Sequence, residues 1–264
     1  MFFSLQSWVV ALMLLALIGG ATVAGFTLGR YLRQHQAALR EPFGVLQGAL
    51  LGVVGLILAF GLTLAVGRYQ DRRTATVEES NAIGTSYLRA QLLAEPVRSR
   101  SLALFPVYTD LAIRISKEVP GSTAMRRTTA AEGVLQRRLW RLAGQSIGSA
   151  PLASAPRLYV DSLNETFDDQ AARLSSLTNR VPGAVLVLEV FGAAVAVGLL
   201  ALHISVLGRG IVAMLAAGAL VTLLLLVTFD LDRPTRGLIK VPDAPLVAVR
   251  ASMVPPPAAS GPGP

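Results

Sequence analysis

The sequence predicts an all-α integral membrane protein: two transmembrane helical hairpins flanking a helical, water-facing domain. Three observations predict it. The chain of 264 residues is 53% hydrophobic and only 15% charged, against roughly 25% charged in soluble domains. The charge is missing in blocks: residues 1–29, 43–67 and 210–229 contain no Lys, Arg, Asp or Glu, and 183–208 contains Glu189 alone. Strand signals are weak, because alternation is rare and β-branched residues do not cluster outside those blocks.

Runs of about 20 apolar residues are long enough to cross a hydrocarbon core of about 30 Å as helix. The chain has such runs at about 8–29, 43–67, 183–207 and 210–229. The first is not preceded by basic residues, since Arg30 follows it, and it is longer than a usual signal core, so it reads as a span and not as a cleaved leader. A short linker, Arg30 to Pro42, joins the first two spans, and Gly208-Arg209-Gly210 joins the last two. Residues 1–67 and 183–229 thus form the two hairpins.

Residues 68–182 are polar enough for water and read as helices. Residues 68–94 continue the second span without a breaker, so one helix runs out of the membrane. A helix from Pro96 to Val119 holds a proline at 106 and ends at Pro120-Gly121, a pair unsuited to a helix interior. Ser122 or Thr123 caps the next, to about Ile147. After the Gly148–Pro151 loop, Ser154 with Pro156 resembles a cap and first turn for a helix to about Asn179. A C-terminal segment, 230–253, precedes a Pro-rich tail, 254–264, that reads as disordered.

With four spans, both termini and the middle domain share one side. That side carries Arg68, Arg72, Arg73, Arg173, Arg180, Arg233, Arg236 and Lys240 near the membrane; the other carries Arg30, Arg33, Arg40 and Arg209. The excess predicts a bacterial inner-membrane protein whose domain and termini face the cytoplasm. The net charge of +8 has the same ordinary explanation, anchoring and orienting helices, and a sharper one, a basic vestibule that concentrates anions.

The chemistry-bearing patterns are few. The chain contains no Cys, and so no disulfide, thiolate metal site or Cys nucleophile. Phosphate loops, zinc-ligand spacing and nucleophile elbows are absent from the sequence. An enzyme, a metal site, a cofactor and a nucleic-acid partner are not expected. Two acidic groups, Glu78-Glu79-Ser80-Asn81 and Asn164-Glu165 through Asp168-Asp169, read as solvated faces or as partners for nearby Arg, because neither has Ca²⁺-loop spacing. Gly44, Gly48 and Gly52, four apart on the second span, predict close helix approach. Leu56, Phe60 and Leu64 continue that spacing, and bulky apolar side chains on symmetry-related helices make a constriction that gates by dewetting. Arg68, Arg72 and Arg73 then read either as interfacial anchors or as a basic ring at a pore mouth. Glu189 and His203 are intramembrane polar residues fourteen apart on one face, which mark either a packing stripe or a transport path.

Residues 58–69, from Leu58 through Phe60 and Thr63-Leu64 to Arg68-Tyr69, resemble the second membrane helix of bestrophins. From about residue 40 to 253 the chain is similar to the uncharacterised bacterial bestrophin-like membrane proteins. The segments that carry this are Arg68 to Arg73, Glu79 to Thr85 with Tyr87-Leu88-Arg89, Leu163-Asn164-Glu165 with Arg173, Arg180-Val181-Pro182, and Asp230 to Pro234 with Arg236 to Ile239. The resemblance implies a bestrophin-like fold and, more distantly, a pentameric anion channel with a cytoplasmic helical domain. On that reading Phe60 and Leu56 occupy neck positions. Gly52 stands where bestrophins have a third bulky residue, Gln70 where a second aromatic is common, and the acidic Ca²⁺ clasp of animal bestrophins is missing. The leading functional expectation is a homo-oligomeric path for small anions in the lipid bilayer. The alternatives are a non-conducting scaffold or sensor with a cytoplasmic helical interaction domain, and a transporter using Glu189 and His203.

Overall fold

The computed structural model of the chain describes residues 7–33, 40–207 and 210–253, with side chains from 7–32, 47–207 and 210–253. Residues 1–6, the linker residues 34–39, Gly208-Arg209 and the 254–264 tail lie outside the described residues. Among the described residues the elements are all helices: α1 Ser7–Arg33, α2 Arg40–Ala90, α3 Val97–Lys117, α4 Thr123–Ser149, α5 Ser154–Thr178, α6 Gly183–Leu207, α7 Ile211–Leu231 and α8 Ala244–Ser252. Four are long and apolar enough to cross a membrane. The chain divides into two compact units, Met1–Tyr69 with Arg180–Lys240, and Gln70–Asn179 with Val241–Pro264. The polypeptide passes from the first to the second inside α2.

The first unit holds α1, the first part of α2, α6 and α7. Its core comes from Val10, Leu14 and Ile18 on one face of α1, packed with Leu186, Ala193 and Val197 of α6 and Leu225 and Phe229 of α7. Residues four apart on a helix project from the same side, which is why that α1 triplet makes one seam. Close approach depends on glycine where α1 meets α6. A side chain at Gly25 would collide with the Gly198 carbonyl, and one at Gly29 with the Leu202 carbonyl. Small residues are what allow helices to touch backbone to backbone in lipid.

The second unit holds the rest of α2 with α3, α4, α5 and α8. Phe105 of α3 sits edge-to-face with Tyr87 of α2 at 6.0 Å between ring centres and with Tyr159 of α5 at 6.5 Å. Ser122 caps α4, accepting the Met125 amide at 3.1 Å. The expected cap at Ser154 is not found: the cap position of α5 is Ala153, which has no side-chain oxygen, and Ser154 is already helical. Helix α8, read from sequence only as part of a C-terminal segment, is tied down by the buried Leu246 and by Arg250, which donates to Asp110 at 2.8 Å.

The acidic patch at 78–81 divides sharply. Glu78 is exposed, whereas Glu79 is fully buried and paired with the buried Arg173 guanidinium. Arg173 also donates to Ser116 Oγ at 3.1 Å and to the Ala112 carbonyl at 3.2 Å, so α2, α3 and α5 meet on one charged group. Beside this pair, Glu132 of α4 is fully buried and accepts from Gln170 Nε2 at 2.6 Å, while its second oxygen meets no donor. Burial, with Glu79 adding like charge, pushes the Glu132 carboxyl up to about 8, against the opposing pull of Arg173 and Gln170.

Two outcomes follow. Removing one partner of a buried pair strands the other charge, so Arg173→Met is expected to cost about 3–5 kcal/mol, read as a lower thermal midpoint of the solubilised protein. Glu132 is raised in the folded state, so its contribution is complete below the ordinary carboxyl range and is lost as pH climbs through about 8. The thermal midpoint of wild type should therefore fall across that window, and Glu132→Gln should flatten the fall.

Candidate functional site

In the first unit, α2 has two unlike faces. Gln47, Leu58, Gly61 and Ala65 are buried, and Leu51 and Val54 half-buried, at alternating steps of three and four that mark one side of a 3.6-residue helix. The predicted row lies away from that side. Gly48, Gly52, Leu56, Phe60 and Leu64 are all exposed, with Phe60 at 62% and Leu56 at 56%. Close helix packing at Gly48 and Gly52 is not seen among the described residues, none of which lies within 4 Å of where a Cβ would stand at either. The backbone-to-backbone contact at glycine is made by α1 and α6 instead. Gly44, the first of the row, has no described side-chain environment.

On the inward side, the Glu189 carboxyl of α6 is seated against the bare backbone of Gly61, the residue next to Phe60. Glu189 is fully buried and neither oxygen has a hydrogen-bond partner. His203 is half-exposed and fourteen residues further on, about 21 Å along the same helix. The structure therefore does not bring Glu189 and His203 together, and the shared face predicted for them is a matter of direction alone. The pairing of Glu189 with Gly61 was not read from sequence; a lone glycine inside an apolar run carries no signal of what approaches it.

The basic set also divides. Arg68 is half-buried and lies eight residues beyond Phe60, about 12 Å along the helix. Arg73 is exposed. Arg72 departs from the expected vestibule: it is fully buried and donates through Nη2 to the Asn179 carbonyl at 2.7 Å and through Nε to the Ser176 carbonyl at 3.2 Å. These carbonyls belong to the last turn of α5 and to its C-cap, Asn179, where carbonyls lie beyond the reach of the helix's own amides, so Arg72 bonds a helix end. Among the described residues no group of three or more His, Asp or Glu is placed to hold a metal ion.

Adding a methyl at Gly61 overpacks this contact, at an expected cost of about 1–3 kcal/mol. Gly61→Ala should lower the thermal midpoint in wild type. In a Glu189→Ala background the same change should be neutral or stabilising, and the difference between the two measures the contact.

The sequence matches the Bestrophin-like domain family over residues 12–246. No curated protein matches it significantly. Among solved structures, a bacterial bestrophin homologue from Klebsiella pneumoniae is similar at TM-score 0.68 and 13% identity, covering 91% of this chain and 95% of its own. A point variant of the Klebsiella homologue gives TM-score 0.68 and 15% identity over 91% of this chain and 96% of its own. At such low identity these structures establish the fold, two apolar hairpins with helices between them. With that fold and a family match across nearly the whole length, this chain belongs to the bestrophin-like family of membrane proteins.

Proposed function

We propose that copies of this chain assemble in a bacterial inner membrane around α2 and form a path for small anions, with the 68–182 domain and both termini on the cytoplasmic side. The observation that carries this reading is the exposed apolar row on α2. Within one chain Leu56, Phe60 and Leu64 cover no core, yet they stand in line on the one helix that leads into the basic Arg68–Arg73 segment. Arranged around an axis, such side chains make a narrow dry constriction. The edge of the Phe60 ring is electropositive and favours an anion passing it. Arg68 and Arg73 raise the local anion concentration, and Arg72 takes no part because its guanidinium is engaged with α5. Family membership supports the reading. Gly52 in place of a third bulky residue makes the neck wider at that position than in bestrophins.

Chloride efflux from liposomes tests it. Wild type is expected to exceed empty liposomes, Phe60→Ala to raise the rate severalfold, and Arg68→Gln with Arg73→Gln to reduce it. Efflux at the empty-liposome level for both wild type and Phe60→Ala, in correctly assembled protein, would leave the scaffold reading in its place.

A further inference from the structure

Within the first unit a groove of about 480 Å³ opens between α1, α6 and α7. Val10, Leu14 and Leu17 line it from α1, Leu186 and Val190 from α6, and Phe229 from α7, and among the described residues no polar side chain joins them. Water is absent at membrane depth, so hydrocarbon fills such a groove. An acyl chain alone would not discriminate between lipids. The charges at one end of the groove do.

That end lies where α1 and α6 begin and α7 finishes. Ser7, one turn before Val10, donates to the Arg236 carbonyl at 2.9 Å and accepts from Arg233 Nη1 at 3.3 Å. The Arg233 guanidinium therefore stands about one helical turn from the groove. It is 3% exposed, and its Nε and second Nη meet no acceptor among the described residues. Asp230 accepts from the amides of Leu238 and Ile239, each at 2.8 Å, and from Ser7 Oγ at 3.3 Å. Burial disfavours the Arg233 charge; Asp230 offsets this in part, and Arg236 and Arg180 add to it. Arg233 is thus a buried cation with two idle donors whose charge Asp230 offsets only in part, and with two further arginines acting on it.

We propose that the groove binds an anionic glycerophospholipid, one acyl chain lying against Leu14, Leu17 and Val190 and the phosphate accepting from Arg233 once its side chain turns off Ser7. A phosphate without a headgroup ammonium adds no further cation to the Arg180, Arg233 and Arg236 cluster, and this selects phosphatidylglycerol over phosphatidylcholine. Basic pockets between membrane helices commonly take such headgroups. A free phosphate would leave the groove unfilled, and an apolar peptide would leave Arg233 without an acceptor.

The experiment is lipid competition on the intact solubilised protein, read by native mass spectrometry, with phosphatidylglycerol and phosphatidylcholine of identical chains. Wild type should retain phosphatidylglycerol with at least about tenfold preference, the equivalent of between one and two surface basic residues. Arg233→Gln should bring the preference close to one. Leu17→Trp, which fills the groove, should lose bound lipid with the Arg cluster intact, and Arg141→Gln in the second unit should change nothing. Equal retention of the two lipids by wild type would overturn the proposal without recourse to any variant. Undiminished preference in Arg233→Gln, or displacement of phosphatidylglycerol by inorganic phosphate, would do so as well.

Discussion

Hydrocarbon offers no hydrogen bonds, and the chain answers that constraint before any other. Each peptide group at membrane depth must be bonded within its own helix, and side chains that require water must be kept out. The four uninterrupted blocks of apolar sequence satisfy both conditions. They also explain how α1 and α6 meet: with lipid tails as apolar as Leu, association depends on close van der Waals approach, and Gly25, Gly29 and Gly198 supply it. Glu189 is the exception, a buried carboxyl with no partner, accommodated because Gly61 has no side chain.

The second unit follows a different rule. It is rich in Arg and carboxylates, and most of its charge stays in water, but a small set is enclosed. Arg173 with Glu79, and Glu132 with Gln170, link α2, α3, α4 and α5 through directed bonds. Such groups add little net stability over apolar packing, yet they penalise any misplacement of a helix that would leave one of them unpaired. Arg72 works in the same way at the end of α5. The signature segments Glu79 to Thr85, Arg173 and Arg68 to Arg73 are therefore occupied partly by architecture, with Arg73 exposed and Arg68 half-buried.

The row on α2 differs from both cores. Its apolar side chains are neither inside the chain nor on a helix with an indifferent sequence; they follow a glycine pair and lead into a basic segment. A surface of that kind on a membrane helix is completed by lipid or by another copy. The low identity to solved bestrophin homologues, 13–15%, means that the architecture has persisted while most side chains have changed.

The four spans, the continuous α2, the break at Pro120-Gly121 and the family were legible from the amino-acid order, because each rests on a local property: length of an apolar run, absence of a breaker, or a run of matching residues. The short α8 and the missing cap at Ser154 were not, since a nine-residue helix is held by the docking of Leu246 rather than by its own pattern. Which Arg faces water and which is enclosed, which carboxylate is paired, and which glycine is approached were decided only by tertiary structure. Arg72 and Arg73 are neighbours of one chemical type, and only the direction in which the folded helix turns each of them separates a helix-end ligand from an exposed charge.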